Sequence, residues 1–202
     1  MALGNPVDSH FLMLVASARS GGNAEILARR AAAALPGNTQ QTWLRLADFP
    51  LPSFEDRRHE GDGSYPEPAG HGRTLLDATL AATDLVFVVP LYWYALPASA
   101  KLFLDHWSGW MRVPGVAFKA RMASKTMWAI SAFSDIDPKD AQPLFATLRF
   151  TADYMKMHWG GDLLGCGNRP SDVLQDADAL ERASTLFSSR ARDGGRWTRL
   201  GP

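Results

Sequence analysis

Short runs that are apolar at every position alternate along this chain with stretches whose apolar residues recur at helical spacing. That alternation restricts the fold more than any other feature. Residues 11–17 read FLMLVAS, 85–90 read LVFVVP and 126–132 read TMWAISA. A strand that is apolar on both sides has to be buried on both faces, which happens in parallel sheets covered by helices. Weaker strand patterns occupy 42–46 and 158–165. Between them the spacing predicts helices over 23–35, 75–82, 97–107, 143–157 and 176–189. The first carries Ile26, Leu27, Ala31 and Ala34 on one stripe and stops at Pro36-Gly37. The third has Pro97 in its first turn. Five strand–helix pairs in succession predict a five-stranded parallel sheet, order 2-1-3-4-5, with helices on both faces. Right-handed crossovers then put every strand's carboxyl end on one edge, where ligands of such sheets bind.

The chain of 202 residues is the size of one domain, with a core over about 10–190 and a basic tail at 190–202. Net charge is zero, so no global field draws the protein to nucleic acid, and the tail alone does not make a nucleic-acid arm. No apolar stretch approaches the roughly 20 residues of a membrane helix, and no secretory leader is visible. The single cysteine, Cys166, excludes a disulfide framework and reads as a small buried hydrophobe. A cytoplasmic location is expected. Residues 48–72, with four prolines, read as a long surface loop. His10, His59 and His71 lack metal-ligand spacing, so no metal is expected.

The loop after the first strand runs Ser17-Ala18-Arg19-Ser20-Gly21-Gly22-Asn23-Ala24 into a helix. Such a loop cradles an anion: glycines turn N–H groups inward, and the helix start adds unpaired donors and partial positive charge. Ser17, Ser20 and Asn23 add side-chain donors and Arg19 a full charge, each charge-assisted bond contributing roughly 1.5–3 kcal/mol. The bland alternative is a helix cap at Ser20 or Asn23 without a ligand. Neither GxxxxGK[ST] nor a usable GxGxxG is present, so a monophosphate fits better than a triphosphate or pyrophosphate. The nearest approach to the latter, Gly165-Cys166-Gly167-Asn168-Arg169-Pro170, follows the last strand and ends in proline.

The loop after the third strand reads Pro90-Leu91-Tyr92-Trp93-Tyr94, with Pro97, Lys101 and Asp105 following. Three adjacent aromatics in a strand-end loop are costly to expose unless they cover something (about 25 cal/mol per Å²). A flat heteroaromatic ligand would stack there; a dimer contact or a core anchor is the alternative. With both loops in view, the chain resembles the NAD(P)H-dependent FMN and quinone reductases of the flavodoxin-like superfamily. The resemblance runs from about residue 11 to 167. It rests on Ser17, Arg19 and Asn23 in the first loop and on Pro90, Tyr92, Trp93, Pro97, Lys101 and Asp105 after the third strand. Two departures stand out. Ala24 occupies a position where members often carry Ser or Thr. Ser131-Ala132-Phe133-Ser134 replaces the glycines that often follow the fourth strand.

The resemblance implies a flavodoxin-like three-layer sandwich that binds FMN and takes NADPH or NADH as co-substrate. It implies that Ser17, Arg19, Ser20, Gly22, Asn23 and Ala24 hold the phosphate. Pro90, Leu91, Tyr92, Trp93 and Tyr94 would flank one side of the ring, and Ser131, Ala132, Phe133 and Ser134 the other. Hydride would pass through the flavin to a small flat aromatic acceptor, a quinone, free flavin or azo or nitro compound. Such a scheme makes no side chain indispensable as a nucleophile, so no catalytic residue is assigned. A homodimer is expected, with Trp107 and Trp110 either at its contact or in the core. Arg57 and Arg58 either meet a nicotinamide 2′-phosphate or belong to a solvated loop. A flavodoxin-type electron carrier without its own NAD(P)H activity is the alternative, but sixteen arginines and zero net charge do not make the acidic face such carriers use for docking. A phosphatase built on Asp135-Ile136-Asp137 is the remaining reading, though that motif follows the wrong strand.

Overall fold

The apolar runs become the inner strands of one parallel sheet. The computed structural model describes residues 9–134 and 137–188. The strands are β1 (His10–Val15), β2 (Gln40–Arg45), β3 (Asp84–Val88), β4 (Thr126–Phe133) and β5 (His158–Cys166). They pair in the order β2-β1-β3-β4-β5, all parallel, as expected from the sequence. Alternation explains why β1, β3 and β4 need apolar residues throughout. Leu12, Leu14, Leu85, Phe87, Met127 and Ala129 enter one core; Met13, Val15, Val86, Val88, Trp128 and Ile130 enter the other. Helices α1 (Asn23–Ala33) and α6 (Ala177–Thr185) cover the second face. Helices α2 (Gly70–Ala81), α3 (Ala98–Trp110), α4 (Phe118–Met122) and α5 (Gln142–Met155) cover the first.

Three expectations shift. Helix α2 begins at Gly70 rather than at residue 75, because Gly70-His71-Gly72 hides its first turn from a propensity reading. Helix α4 was not expected; five residues are too few for a helical period to appear. Cys166 is exposed rather than buried. It ends edge strand β5, and its neighbour Gly165 faces the α1–α6 core, against Leu27, Val173 and Ala179. Cys166 therefore points to the opposite side. The basic tail at 190–202, the end of the last helix at Ser189 and the Asp135-Ile136 pair lie outside the described residues.

Two features at the amino-terminal end of the sheet fix its shape. At β4–β5 the register shifts between Met127 and Trp128, which places Gly160 beneath the Trp128 ring. Trp128 is fully buried, and its indole N–H donates to Asp84 Oδ1 at 3.0 Å. Lys125 is 6% exposed and donates its ammonium to the carbonyls of Leu80 and Ala82 at the carboxyl end of α2. Burial, then the nearby Arg121 charge, lowers its pKa from 10.5 to about 8, against an opposing pull from Asp84. Among the described residues no helix is long and apolar enough to cross a membrane.

Candidate functional site

The carboxyl ends of β1, β3, β4 and β5 open on one cleft of about 460 Å³. It joins the loops that the sequence singled out separately. Ser17, Arg19, Gly22, Asn23 and Ala24 line it from the β1 side, with Ala18 between them. Pro90, Leu91 and Tyr92 line it from β3, and Ala132, Phe133 and Ser134 from β4. Gly167 and Asn168, at the end of β5, close the remaining wall. Ser20, Trp93, Tyr94 and Ser131 are not in the lining. A separate cavity of about 340 Å³ lies between the 51–69 segment and α3, and no residue of these loops reaches it.

The floor near β1 is the donor-rich end. Gly22 precedes α1 in extended conformation (φ −67°, ψ 160°), so the free N–H groups of the first turn face the cleft end of the helix. A Cβ on Gly22 would come within 3.2 Å of Ser17 Oγ, which makes glycine the residue that fits this close turn. Ser17 Oγ donates to Arg19 O at 2.8 Å. Arg19 and Ser20 are exposed. Gly21 (φ 66°) gives its N–H to Glu25 Oε2 at 3.0 Å. Glu25 is 3% exposed. Burial by itself would raise its carboxyl, but hydrogen bonds from Arg45, Arg29 and the Gly21 N–H outweigh that and hold it below the usual carboxylate range.

Asn23 has a different set of partners from the one its position in the loop implies. Its Nδ2 donates to Gly167 O at 2.9 Å and to Arg169 O at 3.0 Å, which ties the start of α1 to the loop after β5. Both amide hydrogens are thereby used, and the buried Oδ1 has no partner. Gly167 is confined by this contact: a Cβ there would lie 2.8 Å from Asn23 Nδ2 and 2.7 Å from Val173 N. Its own N–H donates to Phe133 O at 2.8 Å, so the β4 and β5 walls are joined. Ser131 is fully buried with an unpartnered Oγ, on the strand face opposite Ala132.

The opposite rim is aromatic. Tyr92 and Ala95 pair across a tight turn, with Ala95 N donating to Tyr92 O at 3.0 Å. The two central residues, Trp93 and Tyr94, have φ of 50° and 63°. Type I′ turns have that geometry, and they normally use Asn and Gly there. Trp93 is 93% exposed, next in the chain to Tyr92 of the cleft lining. Leu91 N donates to Ala132 O at 3.4 Å, which fixes the β3 loop to the β4 loop. Lys101 and Asp105 pair with each other along α3 at 2.5 Å.

Other residues weighed from the sequence lie elsewhere. Trp107 and Trp110 are each 3% exposed and pack edge-on against Phe103 and Phe118 in the core. Arg57 and Arg58 pair with Glu55 and Asp56, two residues back in each case. His10 bonds Thr42 Oγ1 through Nε2 at 2.8 Å. Asp137 caps a short turn through Lys139 N. Among the described residues no cluster of His, Cys, Asp and Glu is placed to hold a metal ion.

A family model described as a flavodoxin-like fold matches residues 9–186. The chain belongs to the flavodoxin-like family. This flavodoxin-like protein is 32% identical over 170 residues to YwqN of Bacillus subtilis (strain 168), named as an NAD(P)H-dependent FMN-containing oxidoreductase. The match covers 84% of this chain and 91% of that protein. Among solved structures, Trp repressor binding protein from Bacillus subtilis is 28% identical and superposes with a TM-score of 0.69 over 88% of this chain and 97% of that one. The FMN-dependent NADH-azoreductase from Bacillus anthracis, solved in complex with FMN, gives 0.65 over 91% of this chain and 100% of that one. At 14% identity the second likeness is one of fold.

Proposed function

We propose that this flavodoxin-like protein is an NAD(P)H-dependent FMN oxidoreductase that passes hydride to a small flat acceptor, a quinone, a flavin or an azo or nitro aromatic. The observation that carries the reading is that one cleft joins a donor-rich helix start to an apolar, aromatic rim. That is the layout of a flavin mononucleotide, anionic at one end and flat and aromatic at the other. The relation to YwqN supports the same reaction class.

The residues present fit the cofactor. The N–H groups opening α1 and the exposed Arg19 would meet a phosphomonoester, since a helix start favours an anion; Ser17 lines the same end, but its hydroxyl hydrogen is given to Arg19 O. Ser20 lies beside them and Ala24 adds only its backbone N–H. The buried, unpartnered Oδ1 of Asn23 is an acceptor and suits a hydroxyl of the cofactor's chain better than a phosphate oxygen. Leu91, Tyr92, Ala132 and Phe133 would flank the ring, with Pro90 and Ser134 at its edges. FMN, when bound, supplies the hydride chemistry. The chain would then have three tasks: to hold the phosphate, to flank the ring with the β3 and β4 loops, and to leave one ring face open to the nicotinamide and the acceptor. None of these tasks needs a side-chain nucleophile. NADPH or NADH and the acceptor would use that open face in turn.

We place the protein in the cytoplasm and take it to be a homodimer. Phe150 and Tyr154 of α5 support the dimer, exposed at 72% and 60% beside a groove shared with α3. Sedimentation should give twice the chain mass. Steady-state rates with NADPH and a quinone varied together test the shared site: double-reciprocal plots should be parallel. Intersecting lines would mean that both substrates are bound at once and would overturn it.

A further inference from the structure

The loop after β1 is held from behind by a charged cluster outside the cleft. Arg45 ends β2, beside Val15 of β1, and its guanidinium reaches forward past the end of that strand. One arm donates to Arg19 O at 3.0 Å and to Ser17 O at 3.4 Å. The other donates to Glu25 Oε2 at 2.9 Å. The same Oε2 takes the Gly21 N–H, and Oε1 takes Arg29 at 2.7 and 3.1 Å. The Glu25 side chain is 4% exposed and that of Arg45 is 20% exposed, so this pair is shielded from water. Arg29 is 61% exposed and contributes less.

A loop that binds an anion has to turn its carbonyls away from it. Here two of those carbonyls are drawn backward by one guanidinium, and the turn at Gly21 is tied to the carboxylate that the same guanidinium holds. Only a planar fork reaches all three acceptors; a lysine ammonium is a point donor on a flexible stem. Neither Arg45 nor Glu25 lines the cleft, so both act through the loop.

We propose that the Arg45–Glu25 pair is a positioning device that presets the loop after β1 for a phosphate and thereby makes the cleft prefer phosphorylated flavin to unphosphorylated flavin. This inference rests on the FMN reading above. Flavin-free protein is titrated with FMN and with riboflavin, by quenching of flavin fluorescence, and amide exchange is followed over residues 17–24. Arg45→Met should weaken FMN by about 10- to 100-fold, the loss of one to two charged hydrogen bonds. Riboflavin should weaken by less than about threefold, since it lacks the phosphate the loop would hold. Loop amides should exchange at least about tenfold faster, while those of β3 and β4 keep their protection. Arg45→Lys should recover little of the FMN affinity. Glu25→Gln keeps an oxygen for the Gly21 N–H and should lose less than Arg45→Met, and it serves if the latter does not fold. Equal weakening of both flavins, or unchanged exchange in the loop, would overturn the proposal. If the parent takes up neither flavin, the FMN reading fails, and the exchange measurement still decides whether the pair holds the loop.

Discussion

Replacing Trp93 by glycine should make the protein more stable. The residue holds φ at 50° and is 93% exposed. Left-handed backbone costs an L-residue about 1–2 kcal/mol, and glycine is released from that cost. Glycine gives back about 0.4–1 kcal/mol through the greater freedom of the unfolded chain. Almost no side-chain burial is lost. The balance is a gain of about 0.5–1 kcal/mol, or about 1–4 °C in Tm for a domain of this size. Trp93→Ala is the internal control, because alanine keeps the strain and loses the same ring. The assay is urea unfolding of the parent and both variants under one set of conditions. Glycine should exceed alanine, and alanine should lie within about 0.5 kcal/mol of the parent. If glycine is the less stable of the two, the turn is not strained and the reasoning fails. The same loss of the ring should raise the Michaelis constant for a flat acceptor by about two- to tenfold, the range of one stacking contact. Stability and substrate affinity would then move in opposite directions, as strain kept at a working site implies.

Other consequences concern the sheet. Gly160→Ala would drive a methyl to within 2.4 Å of the buried Trp128 ring, and should cost about 3 kcal/mol, read as a lower urea midpoint with an unchanged slope. Lys125 gives a pH signature. Its folded pKa of about 8 lies below the ordinary 10.5, so between those values the unfolded chain binds the proton that the folded protein has released. Stability should therefore rise with pH across that window, by up to about 1.4 kcal/mol per pH unit, and be flat for this group below it. Lys125→Met should remove the rise; a rise that persists in the variant assigns it to other groups.

Much of this arrangement is legible in the sequence, for reasons that differ by element. Strands β1, β3 and β4 announce themselves because both of their faces are buried, and the strand order follows from the alternation they set up. The β1, β3 and β4 walls of the cleft are legible because glycine, hydroxyl and aromatic residues there make poor sense in a plain turn. The fourth wall is not. Gly167 and Asn168 follow β5 in a segment whose glycines do not complete a dinucleotide pattern, and what makes them part of the site is a contact with Asn23, 144 residues away. The rule that ligands lie beyond the carboxyl ends of the strands, applied to β5 as well, would have found them. Asn23 itself reads as a phosphate donor by position, and only its distant partners show both hydrogens used. Arg45 carries no local signal either, since its role depends on the register of β2 against β1. The left-handed Trp93 and Tyr94 are hidden for a different reason: neither residue type favours that conformation, and a propensity reading argues against the turn they form.

The most direct test of the central claim is the visible absorption spectrum of FMN-loaded protein under anaerobic conditions, before and after NADPH or NADH. The account predicts flavin bands that bleach on adding either nicotinamide and return on adding a quinone. Bands that persist with both nicotinamides would contradict it and point to an electron carrier, and failure to take up FMN would remove the cofactor from the cleft altogether.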